Sequence, residues 1–136
     1  MHFTLLRNQA PYARILLGLG RFDESLAVSE AALRRAAAMR VSDPSNGQLP
    51  VLSIEFRYNV AWALQQRGEL CLAAGTADTA SYTAARRDLE RALDEFVATH
   101  AAYAELDAAE LLPAAMRHEE RILERIEAIE ERLGEL

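Results

Sequence analysis

The sequence predicts an all-α protein, and three observations carry that expectation. Alanine is abundant and clustered, as in Ala31-Ala32, Ala36-Ala37-Ala38, Ala84-Ala85 and Ala114-Ala115, and alanine has the lowest intrinsic cost in a helix and lets helices approach closely. Apolar residues recur at spacings of three and four in successive segments, the signature of a helix with one buried face. β-branched residues are scattered singly and never alternate over a run, which argues against a sheet.

Turn formers divide the chain into five expected helices. Gly18 and Gly20 end a first helix over about 5–19, in which Pro11 is tolerated only near the first turn or as a kink. A second helix runs from about Asp23 to Arg40 with Leu26, Ala27, Ala31 and Leu33 as its apolar stripe. The run from Ser42 to Pro50 is the one unmistakable loop. Ser53 is the expected N-cap of a third helix reaching Ala74, with Phe56, Val60, Ala63 and Leu64 on one face. After a break at 75–79, a fourth helix spans about 81–111, with Ala85, Leu89, Ala92, Leu93, Phe96, Tyr103 and Leu106 inward. Pro113 marks a third break. The last helix, about 114–133, carries Ile122, Ile126, Ile129 and Leu133 at alternating spacings of four and three, a coiled-coil-like edge between Glu and Arg. That edge is too short to hold a dimer alone, so it must lie on another surface.

A chain of 136 residues, 51% hydrophobic, suits a single domain with a real core. The formal charge is −6, and all the excess lies after Thr99, where ten acids face four arginines. An acidic tail repels phosphate and speaks against nucleic acid as the main partner. Every basic side chain is arginine, a bias that suggests a GC-rich bacterial genome. The single Cys71 can form no internal disulfide and fits a reducing cytoplasm. The start, Met1-His2-Phe3-Thr4-Leu5-Leu6-Arg7, has no basic region followed by a long apolar one, and no apolar run reaches membrane-spanning length. A cytoplasmic protein with no membrane partner is expected.

The residue types that carry catalysis are sparse. Among the three histidines, Val97 stands three before His100 and Ala115 three before His118, so the Glu-x-x-His pairs of a di-iron bundle are absent. His118-Glu119 opens like a zinc-protease helix without its second histidine. Cys71 lies on an apolar stripe with no base nearby in sequence and reads as a core residue. The pairs Arg34-Arg35 and Arg86-Arg87 read as solvated faces matched by Glu30, Asp88 and Glu90. No enzyme activity, cofactor or metal is expected.

The segment 13–27 resembles a tetratricopeptide repeat (TPR). Gly20, Phe22, Asp23, Glu24, Ser25 and Leu26 stand where that family has its turn glycine, aromatic, acidic pair, small residue and aliphatic, and Ala32 and Leu33 follow in the second helix. Leu64, Gly68, Cys71 and Gly75, then Tyr82, Ala85, Leu89, Ala92 and Leu93, look like a second, weaker copy. The likeness departs from the pattern in three places: no proline closes the second helix near Ala37, Ser29 replaces an aromatic, and Gly20 and Gly75 are further apart than one repeat.

The resemblance implies antiparallel helical hairpins stacked as a short TPR-like solenoid with a C-terminal amphipathic helix. It would be one domain over 1–136, with hairpins at 1–41 and 53–112, a loop at 42–52 and the acidic helix at 113–136. It also implies a groove lined by the first helix of each copy: Arg7, Ala10, Arg14 and Leu17, then Trp62, Gln65, Glu69 and Leu72. Trp62 reads equally well as a core residue. The implied function is non-enzymatic docking of a peptide or helix of a partner protein, an acidic one given the arginines. The alternative is a homo-oligomeric bundle, a homodimer seamed by Ile122, Ile126, Ile129 and Leu133, whose assembly is its function.

Overall fold

The computed structural model describes residues 3–74, 78–105 and 112–136. It is all-α: the described residues form six helices, α1 (Phe3–Arg7), α2 (Gln9–Gly18), α3 (Phe22–Ser42), α4 (Gln48–Ala73), α5 (Thr79–Glu105) and α6 (Leu112–Gly134), with no strand among them. No helix among them is long and apolar enough to cross a membrane. The chain divides into two compact units, Met1–Ala63 and Leu64–Leu136, so the boundary falls inside α4.

In the first unit the expected first helix is broken in two at Asn8. The cause is Pro11, which lacks an N–H and whose ring crowds the carbonyl four residues back, at Arg7, where α1 stops. α2 ends in a Schellman turn. Arg21 N–H donates to Leu16 O at 2.9 Å and Gly20 N–H to Leu17 O at 3.0 Å, and Gly20 takes a φ of 75° that a side chain disfavours.

α3 buries Ser25, Ser29, Ala32 and Ala36, rather than the expected stripe of Leu26, Ala27, Ala31 and Leu33. Those buried residues are all small and follow i, i+4, i+7, i+11 spacing. They let α3 lie close to its neighbours, and Ser25 Oγ donates to Ala13 O at 2.8 Å. Ser29, where the repeat pattern asks for an aromatic, is fully buried.

The core of this unit gathers Leu6, Ala10, Ala32, Ala36, Leu49, Leu52 and Phe56. α4 starts five residues earlier than expected. Asn46 Oδ1 accepts from Gln48 N–H at 3.0 Å, and Pro50 falls in the first turn, where its missing N–H costs nothing. Ser53 is therefore not a cap. It sits inside α4, and its hydroxyl donates back to Leu49 O at 2.8 Å.

The second unit packs the end of α4, α5 and α6. Gly68 is a point of close approach between α4 and α5: a Cβ there would lie 2.8 Å from Leu89 Cγ and 3.2 Å from Ala85 O. Asp78 caps α5, its Oδ1 accepting from Ser81 N–H at 2.8 Å, and this bond holds its carboxyl below the usual range. α5 buries Tyr82, Ala85, Leu89, Ala92, Phe96 and Thr99, while Leu93 and Tyr103 are half-buried. Gly75, Leu106 and Leu111 lie outside the described residues. On α6, Ile122 and Ile129 are fully buried within this one chain, and Ile126 and Leu133 are half-buried.

Candidate functional site

The residues expected to line one groove fall into the two units. In the first, Arg7 is exposed at the end of α1 and borders a cavity of about 220 Å³ with Phe3, Gly47, Gln48, Val51, Leu52 and Glu55. Arg14 is also exposed on α2, and its Nε donates to Asn59 Oδ1 at 3.4 Å. The buried Asn59 is anchored in turn by donating to Ala10 O at 3.3 Å. Leu17 is half-buried. Trp62 is half-buried too, with its ring edge-on to Tyr58 at 5.8 Å.

Gln65, Glu69 and Leu72 belong to the second unit, where spacings of four and three put them on one face of α4. The neighbour they meet is α6. Gln65 is 1% exposed, and its Oε1 lies 2.6 Å from His118 Nδ1, so its carbonyl is already taken inside the chain. The His118 ring stacks on Phe96 at 4.5 Å with planes 10° apart. Burial pushes the imidazole pKa down; Glu69 opposes that shift, while Arg117 and Arg121 add to it.

One turn further, Glu69 is held by two arginines, Arg121 Nε at 2.5 Å and Arg125 Nε at 3.4 Å. The bond and charge of Glu69 hold the Arg121 guanidinium above its ordinary value. Beside this pair opens a cleft of about 450 Å³ lined by Glu69, Leu72, Ala73, Arg121, Arg125, Ala128 and Arg132. Arg132 Nη1 donates to Tyr82 OH at 3.5 Å.

The cleft thus presents three guanidinium groups against one carboxylate, over a small apolar floor. Guanidinium forks recognise carboxylates and phosphates in two-pronged geometry. Glu69 and Leu72 were legible as surface-lining residues; Arg121, Arg125 and Arg132 were not. Their signal was present nonetheless, because Arg121, Arg125, Ala128 and Arg132 follow i, i+4, i+7, i+11 and share one side of the helix. The excess of glutamates on the same helix obscured it.

Of the other basic pairs, Arg34, Arg35 and Arg87 are exposed and Arg86 is half-buried. Arg86 pairs with Glu90 at 3.7 Å, whereas Asp88, expected to match Arg86-Arg87, is taken by Arg67 through bonds of 2.7 and 2.8 Å. Cys71 is half-buried, its thiol directed at Ser81 O at 3.3 Å. His100 Nδ1 lies 3.3 Å from Glu119 Oε1. Among the described residues no cluster of three or more His, Cys, Asp or Glu side chains could hold a metal ion. No family model, no curated protein and no solved structure matches this chain.

Proposed function

We propose that this chain is a non-enzymatic, TPR-like interaction module that docks an acidic segment of a partner protein, and that the docking surface is the α4–α6 cleft. The observation that supports this most is the arginine row Arg121, Arg125 and Arg132, which faces a single carboxylate, Glu69. A guanidinium row of this kind suits carboxylates presented by a peptide. The net charge of −6 disfavours nucleic acid as the ligand. A bacterial cytoplasmic setting belongs to the same proposal and rests on the arginine-only composition and the lone Cys71.

The test is selection from a random peptide display library, run on the wild-type chain and on the Arg121→Gln/Arg125→Gln double variant. Acidic peptides should be enriched on the wild type and at least about tenfold less on the variant, the loss expected of two charge-assisted contacts. Equal enrichment on both would move the site away from the cleft.

A second reading, assembly of identical chains, is favoured by one observation. Leu5, Tyr12, Ile15 and Leu19 are 57, 47, 61 and 65% exposed along α1, α2 and the turn that ends α2, an apolar row that self-association would cover. Sedimentation at low micromolar concentration decides it: a dimer without any partner supports assembly, and a monomer rejects it.

A further inference from the structure

In the α4–α6 cleft the protein supplies its own acid. The Glu69 side chain is only 12% exposed and takes both Arg121 and Arg125, whose side chains remain 56% and 41% exposed. The buried member of the cluster is therefore the acid, and the arginines stay accessible from the cleft side. Arg132 meets the Tyr82 hydroxyl and no carboxylate within ion-pair distance among the described residues. The cleft holds one guanidinium pair satisfied from within and one guanidinium left for a partner.

Building on the proposed docking of an acidic segment, we infer that Glu69 is a resident stand-in for the partner's carboxylate. The cognate segment is an extended peptide with two acidic side chains four residues apart. The spacing follows from the helix. Arg125 and Arg121 precede Arg132 by seven and eleven residues, about 10 and 16 Å along the axis, so a carboxylate between the first two lies about 13 Å from Arg132. In an extended chain, residues four apart point to the same side and are separated by about 13 Å. One partner acid replaces Glu69 on Arg121 and Arg125, and the other pairs with Arg132. While Glu69 occupies its place it competes with the partner, so it lowers affinity although it lines the site.

The experiment uses the full chain and fluorescein-labelled Gly/Ser peptides carrying two glutamates at separations of one, four or six residues, read by fluorescence anisotropy. The separation of four should bind best. Glu69→Gln, which keeps the side chain's size, should tighten that peptide about three- to tenfold, the release of two partly exposed ion pairs. Arg132→Gln should erase the preference for spacing. Circular dichroism and the unfolding midpoint of each variant confirm that it is folded. Weaker or unchanged binding by Glu69→Gln, with Arg121→Gln/Arg125→Gln still abolishing binding, overturns the stand-in role and leaves the docking site intact. Binding by neither wild type nor Glu69→Gln at any spacing overturns both.

Discussion

Ser25 and Ser29 lie one turn apart on α3, both fully buried, and their hydroxyls meet opposite fates. Ser25 Oγ donates to Ala13 O at 2.8 Å; Ser29 Oγ has no partner among the described residues. A buried, unpaired hydroxyl carries a desolvation penalty of about 1–3 kcal/mol, and alanine is the better helix former. Ser29→Ala should therefore stabilise the chain by about 1 kcal/mol, whereas Ser25→Ala should destabilise it by a similar amount, both read from urea unfolding. If both changes destabilise, Ser29 has a partner after all. At His118 the same logic becomes pH dependence. Burial lowers its pKa in the folded state from the ordinary 6.5, so the unfolded chain takes up the proton first. The stability is complete only well above pH 6.5 and is lost as pH falls through that value towards the lowered folded pKa. The urea midpoint should drop between about pH 7.5 and 5.5 in the wild type, and the drop should shrink in His118→Gln. An identical drop in both would assign the effect to another group.

At the scale of helices, the edge of α6 is used inside the chain. Ile122 is fully buried, whereas the neighbouring Leu123 is 54% exposed. Ile122→Ala should cost about 2–5 kcal/mol of stability, and Leu123→Ala should stay within about 0.5 kcal/mol. If Ile122→Ala instead leaves the melting temperature unchanged, the edge is not part of the fold. Helix existence was legible because it depends on summed propensity and on glycine and proline placement, which each segment carries locally. Faces were less legible. On α3 the larger apolar side chains pointed to the wrong side, because close approach there selects Ser25, Ser29, Ala32 and Ala36 by size, and hydrophobicity does not rank serine. The start of α4 was misplaced for a related reason. Ser53 is a good cap by type, but Asn46 and Pro50 had already begun the helix. In the candidate site, the α4 face was readable from spacing, while the choice of α6 as its neighbour depends on tertiary packing that spacing along one helix cannot contain.

For the molecule as a whole, the distribution of charge sets opposing effects at long and short range. At low salt, where the Debye length reaches about 30 Å at 0.01 M, an acidic peptide still at a distance from the chain feels a net charge of −6 and is repelled. Within the cleft it meets Arg121, Arg125 and Arg132 against one glutamate and is held. Salt screens both, so the two rate constants should respond separately. Between about 0.02 and 0.3 M salt the association rate should rise, because the repulsion it must overcome is screened. The dissociation rate should rise more steeply, since the pairs that hold the peptide are partly exposed and weaken with salt. Affinity should fall overall even as encounter becomes faster, a pattern that stopped-flow measurements with the labelled peptide resolve directly. A cleft that governed the distant field would give the opposite sign, with association slowing as salt is added. A dissociation rate indifferent to salt would mean that the arginine row carries none of the affinity, and an apolar contact, with Leu72, Ala73 and Ala128 as its floor, would have to take its place.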